Sequence, residues 1–185
     1  MEAFPMIGLG AFLTLAGLFL WTRYLSFPAQ TPDDYAGKGP EFDIREHLKG
    51  PIVCEGVIYG ITGRVSSRFV ADLDAQWNGD EGIMTERFRY DSGKTQSRCW
   101  KLRVHADGTI EADAPDLIGK GCGRQKGPGV QLNYRIKLPK DAGGHELDTV
   151  DWMYLMENGS IMNRSQFRKY GIKVAELIAT MRKKQ

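Results

Sequence analysis

From Ile52 onwards the chain alternates apolar and polar residues in short runs, and glycine-bearing turns cut those runs apart. Thr62-Gly63, Asn78-Gly79, Asp91-Ser92-Gly93, Asp107-Gly108 and Asn158-Gly159 each sit between two of them. Period-two alternation places one set of side chains on each face of a strand, and a short glycine turn sends the next strand back alongside the last. The cleanest run sets Phe69, Ala71, Leu73, Ala75 and Trp77 against Arg68, Val70, Asp72, Asp74 and Gln76. Val130, Leu132, Tyr134, Ile136 and Leu138 alternate in the same way with Gln131, Asn133, Arg135 and Lys137. No long crossover separates the runs, so the pattern predicts an all-β fold: an up-and-down antiparallel barrel of about eight to ten strands, closed so that no edge is exposed. A β-sandwich is the alternative. A barrel of about eight strands either packs its interior full or holds one small ligand.

Two hairpins allow register to be argued. In the segment 83–104, a two-residue loop at Ser92-Gly93 would set Arg87 against Arg98. A three-residue loop with Gly93 as the left-handed bulge residue instead sets Glu86 opposite Arg98 and Met84 opposite Trp100, which avoids the like-charge pair. Glu86, Phe88, Gln96, Arg98, Trp100 and Leu102 then share one face. In the segment 145–169, Asn158-Gly159 reads as a two-residue type I′ turn, which places Tyr154 opposite Asn163 and Trp152 opposite Ser165. That register gathers Trp152, Tyr154 and Asn163 on one face as a cavity wall. It puts Asp151 and Arg164 on the other, within reach of a salt bridge that would pin the hairpin. Gly119, Gly121 and Gly123 recur at period two without a phosphate-loop motif, which points to sharp coiling of a closing sheet. Residues 172–181 suit a helix or a strand equally on pattern alone.

The N-terminus is of a different character. Phe4 to Trp21 carries no charge and is almost wholly apolar, with Trp21 and Tyr24 placed like interfacial aromatics. At about 1.5 Å per residue the run just crosses a hydrocarbon core. No basic residue precedes it and no small-residue cleavage site follows, so an uncleaved anchor fits better than a signal peptide. The expected organisation is an anchor over 1–25, a flexible Pro- and Gly-rich stalk over 26–41 and the barrel over 42–185. Asp43 to Leu48 reads as one short helix with Asp43 as its N-cap. Arg23, just after the span, weakly favours a cytoplasmic barrel by the positive-inside rule.

Function classes narrow by absence. The net charge of +2 is too mild to imply nucleic acid. Cys54, Cys99 and Cys122 lie far apart and form no metal-ligand spacing, which fits free thiols or at most one disulfide. His47, His105 and His145 are scattered, and neither GxSxG nor HExxH occurs, so no catalytic residue, metal site or cofactor is expected.

Four segments carry a resemblance: TERFRYDSGKTQSRCWKL, GKGCGRQKG, VDWMYL and IMNRSQFRKYGIKV. Over Phe42 to the C-terminus the chain resembles an uncharacterised bacterial family, domain of unknown function 3833, whose members are often described as envelope lipoproteins. The resemblance implies a lipocalin-like barrel at the cell envelope, hence a periplasmic domain on the inner membrane, against the vote of Arg23. It also favours a strand over 172–181. The chain lacks the lipoprotein cysteine, and its apolar run would replace the lipid anchor. The function expected is binding of an apolar or lipid-like ligand. Trp77, Phe88, Trp100, Trp152 and Tyr154 form the candidate lining, with Arg98 and Asn163 orienting a headgroup and Glu86, Asp151 and Arg164 as structural pairs. A solid-cored scaffold and an enzyme of lipid modification are the rivals.

Overall fold

The structure is a computed structural model describing residues 3–184. Ala3–Leu20 forms the helix α1, which runs on through a π-turn at Trp21–Leu25. The stretch Met6–Leu25, with a mean hydropathy of 1.5, is long and apolar enough to cross a membrane. Its large apolar side chains, Phe12 and Leu13 among them, are exposed.

Ten antiparallel strands follow: β1 (Gly50–Gly60), β2 (Val65–Asn78), β3 (Glu81–Tyr90), β4 (Thr95–Val104), β5 (Thr109–Asp113), β6 (Gly121–Lys126), β7 (Gly129–Lys137), β8 (Glu146–Leu155), β9 (Ile161–Lys169) and β10 (Ile172–Lys183). Each pairs with its neighbours in sequence, and β1 pairs with β10 to close the barrel. The closing register sets Cys54 opposite Met181 and Gly56 opposite Ala179. Closure excludes the sandwich and settles 172–181 as strand. It also explains two glycines. A Cβ at Gly123 would collide with the Gln131 carbonyl, and one at Gly56 would meet the Ile178 carbonyl and the Phe69 ring, so strong coiling needs glycine at both.

One end of the barrel is plugged. Asp43 caps the short helix α2 (Ile44–His47), accepting the Arg45 backbone N–H, and Phe42, Ile44 and Leu48 are buried there. The Trp77 indole N–H donates to the Leu48 carbonyl at 3.2 Å, and its ring lies on Gly82. The other end, where β3, β7 and β9 finish and β10 begins, is the mouth.

Residues 26–41 do not hang as a loose stalk. They form 3-10 turns at Phe27–Ala29 and Pro32–Tyr35 and lie on the outer wall of β7, β8 and β9. Arg164 stacks over the Phe27 ring at 4.4 Å. The Tyr35 ring packs on Trp152 and Tyr154, at 5.3 and 5.6 Å between centroids. The Gln30 side-chain carbonyl accepts from the hydroxyls of Tyr35 at 2.6 Å and Tyr154 at 3.1 Å. This strap runs from mid-wall at Phe27 to the plugged end, where the Phe42 N–H donates to Gly127.

Candidate functional site

The inward faces of the strands do not meet at the centre. They enclose a cavity of about 290 Å³ lined by apolar side chains such as Ile58, Phe69, Phe88, Leu132 and Leu177, and by a cluster of polar ones. The β3–β4 hairpin supplies the first pair. Its loop has three residues, and Glu86 stands opposite Arg98, as the charge argument requires. Both side chains point inward because Met84, Trp100 and Leu102 on the same face are buried.

Arg98 is held on every side. Asp116, in the loop after β5, takes its Nε at 2.7 Å and an Nη at 3.2 Å. Glu86 takes the other Nη at 3.5 Å, and the guanidinium lies 4.5 Å over the Trp100 ring. Desolvation works against the Arg98 charge, but Glu86, Tyr134 and Asp116 outweigh it, so its pKa is raised. Enclosure pushes the Glu86 carboxyl above its ordinary range despite Arg98, and the charges of Asp151 and Asp116 push it further.

Across the cavity stands Asp151. Its Oδ1 accepts from Asn163 Nδ2 at 2.6 Å and Ser165 Oγ at 2.7 Å, and its Oδ2 meets the Tyr134 hydroxyl at 3.5 Å. Enclosure raises its pKa, against those hydrogen bonds and the charge of Arg98. Burial does the same to the Tyr134 phenol. Cys54 also lines the cavity, and burial there pushes its thiol up to about 12, so it stays a thiol rather than a nucleophilic thiolate. Two carboxyl groups, Glu86 and Asp151, and one guanidinium thus face a small apolar space, and the single cation is already engaged by Glu86 and by Asp116 behind it.

The expected site residues divide. Phe88, Arg98, Trp100 and Asn163 line the cavity. Trp77 sits at the plug. Trp152 and Tyr154 are on the outer wall, beneath the strap, and this corrects the reading of them as cavity wall. The cause is the loop of the β8–β9 hairpin. Its turn closes through the Met156 N–H to the Ser160 carbonyl and the Gly159 N–H to the Met156 carbonyl, leaving Glu157-Asn158-Gly159 as a three-residue loop. Asp151 therefore pairs with Ser165 and Trp152 with Arg164. A one-residue slip moves every side chain to the opposite face. The expected Asp151–Arg164 bridge is absent for the same reason: Asp151 points in, while Arg164 points out and binds Glu176 at 2.6 Å.

Asp116, Tyr134 and Ser165 were missed as site residues. Tyr134 was recoverable, since it shares a face with Val130, Leu132 and Ile136. Ser165 shares the face of Asn163 in either register, but nothing in the pattern marks it as a partner of Asp151. Asp116 lies in a loop that no strand pattern places. The three Cys residues are free, Cys54 buried, Cys99 half-buried and Cys122 exposed. Among the described residues no group of His, Cys, Asp and Glu could hold a metal ion.

No match was found among curated proteins. Among solved structures, the protein Rv2717c from M. tuberculosis is similar over 80% of this chain and 99% of its own, with a TM-score of 0.55 at 19% sequence identity, a likeness of fold alone. The family model for "Protein of unknown function (DUF3833)" matches residues 22–183, and the chain belongs to that family.

Proposed function

We propose that this is a membrane-tethered barrel, its domain on the periplasmic side of the inner membrane, which binds one small apolar, lipid-like molecule without covalent chemistry. The observation that carries the reading is the barrel cavity of about 290 Å³ with apolar walls and one polar cluster. Its size is at the small end of ligand pockets, which suits a single acyl-type chain better than a two-chain phospholipid.

The cluster selects the polar end. An anionic headgroup would join Glu86 and Asp151 while the one guanidinium is taken by Glu86 and Asp116. A like-charge contact at 4 Å costs about 4 kcal/mol at an effective dielectric of 20. A hydroxyl, amide or amine would instead donate to Glu86 or Asp151. Arg98 is thus a structural counter-ion for the acids rather than a headgroup clamp.

The test is native mass spectrometry of the full chain extracted in mild detergent, with titration of the intrinsic tryptophan fluorescence, to which Trp100 contributes from the cavity wall, by a fatty alcohol, amine and acid of equal length. Alcohol or amine should bind more tightly than acid. Recovery of no small molecule, together with fluorescence indifferent to all three, would sink the ligand reading. Tightest binding by the acid would overturn the assignment of the polar end.

A further inference from the structure

The barrel ends differ in a way the cavity does not explain. At the mouth, the β1–β2 and β9–β10 hairpins stand side by side, because β1 pairs with β10. Their tips present large apolar side chains to the outside: Tyr170 is 90% exposed, Ile61 68%, Ile172 63% and Val65 51%. The two tip sequences, GITGRV and RKYGIK, contain four cations, Arg64, Arg168, Lys169 and Lys173, and no acid.

Tyr170 is also held where a bulky residue is disfavoured. Lys169 pairs with Ile172, so Tyr170-Gly171 is a two-residue turn, and Tyr170 has φ +52°. Such a turn favours Asn-Gly, and a bulky residue with positive φ is an outlier that points to use. The Arg168 side chain donates to the Gly171 carbonyl at 2.8 Å and braces the turn, with the ring held out from the barrel.

The strap gives direction. It leaves the apolar helix at Ser26, meets the wall beside Arg164 and then runs away from the mouth to the plugged end. The helix therefore joins the strap at its mouthward end, on β9, the strand whose own tip carries Tyr170. Exposed Tyr with Ile and clustered Lys and Arg is the composition that settles at an anionic bilayer surface.

We infer that the paired tips, through Ile61, Val65, Tyr170 and Ile172, dock on the anionic phospholipid surface of the membrane that holds the N-terminal helix, so that the cavity mouth faces the bilayer. This rests on the proposed membrane tether. A single-chain lipid then passes between bilayer and cavity without crossing open water.

The experiment uses the full chain with Cys99→Ser and Cys122→Ser, carrying either Ile172→Cys at the mouth or Glu157→Cys at the plugged end. Each cysteine bears an environment-sensitive nitrobenzoxadiazole label, and the protein is reconstituted in phosphatidylethanolamine–phosphatidylglycerol vesicles. The label at 172 should shift to the blue and brighten severalfold relative to detergent solution, while that at 157 stays as in water. Adding Ile61→Asp and Arg64→Glu, both at an exposed tip, should abolish the response. Equal, water-like emission from both sites would overturn the docking. Alkaline carbonate separates the two readings: protein stripped from the vesicles refutes the tether, whereas retained protein with a water-like label at 172 refutes only the docking.

Discussion

Asp151→Asn should stabilise the protein at alkaline pH and lose that advantage in acid. Both close hydrogen bonds to Asp151 fall on one oxygen, from Asn163 at 2.6 Å and Ser165 at 2.7 Å, while the Tyr134 hydroxyl meets the other at 3.5 Å. An asparagine with its carbonyl in the place of Oδ1 keeps both close bonds. Its amide then donates to the Tyr134 oxygen, whose own O–H gives up its 3.5 Å bond to Oδ2 and turns to the cavity, so the substitution removes the charge at the cost of one long hydrogen bond. The folded-state pKa of Asp151 is raised by enclosure. Between the ordinary aspartate pKa and that raised value, the folded state holds a proton the unfolded chain has released, so wild-type stability falls as pH rises through the window. Each unit of such a shift corresponds to about 1.4 kcal/mol. Guanidinium unfolding of the full chain in detergent micelles, followed by tryptophan fluorescence, should therefore show Asp151→Asn more stable by about 1 kcal/mol or more near pH 8. The slope should be unchanged, and the two proteins should converge towards pH 4. A variant less stable than wild type at pH 8, or an offset independent of pH, would refute the idea that enclosure of this carboxylate costs stability.

Three further outcomes follow from the same geometry. Arg98→Met strips the shared cation from Glu86 and Asp116 and should cost about 3–5 kcal/mol; adding Glu86→Gln and Asp116→Asn should recover much of it, and a loss no larger than that of the surface change Arg164→Ala would count against an enclosed ion cluster. Trp152→Ala should cost about 3–5 kcal/mol in unfolding experiments through lost packing under the strap, with ligand affinity unchanged; loss of binding in a still-folded variant would return Trp152 to the cavity wall. Burial works against the Glu176 carboxylate, but Gln166, Lys173 and Arg164 outweigh it and hold the pKa at about 2. A depressed pKa stabilises above the unfolded value and is lost as pH falls through the folded one, so Glu176→Gln should lower the melting temperature at neutral pH by an amount that shrinks below about pH 4; a constant difference would contradict the ion pairs.

Architecture was legible because hairpin connections leave little freedom. Alternation assigns each residue to a face, turns set the order, and closure follows from the cost of free edges. The β3–β4 register was legible too, since the wrong alternative carried an Arg87–Arg98 clash. The β8–β9 hairpin offered no such penalty. Glu157-Asn158-Gly159 and Asp91-Ser92-Gly93 have the same form, an acid, a small polar residue and a left-handed glycine, and both make three-residue loops. In the first the Asn-Gly pair matched the two-residue turn so well that nothing in the flanking residues argued against it.

That single residue of register decided the functional reading. With Trp152 and Tyr154 directed inward, Asp151 becomes a surface residue paired with Arg164, and the cavity has one acid, one base and five aromatics. With the true register the aromatics leave, and Asp151 enters beside Asn163 and Ser165. An aromatic pair on the outside of a barrel then demands its own cover, because Trp152 is fully buried. The cover comes from Phe27, Gln30 and Tyr35, in a stretch whose prolines and polar residues read as a linker. Those residues were the available signal: a free tether has no need of two aromatics spaced to meet a wall. Because Tyr35 packs on Trp152 and Tyr154, and Gln30 accepts a hydrogen bond from Tyr154, the strap fixes where the apolar helix leaves the barrel. Weakening this contact, as in Trp152→Ala, therefore tests more than packing, since it loosens the connection that would hold the mouth towards the bilayer.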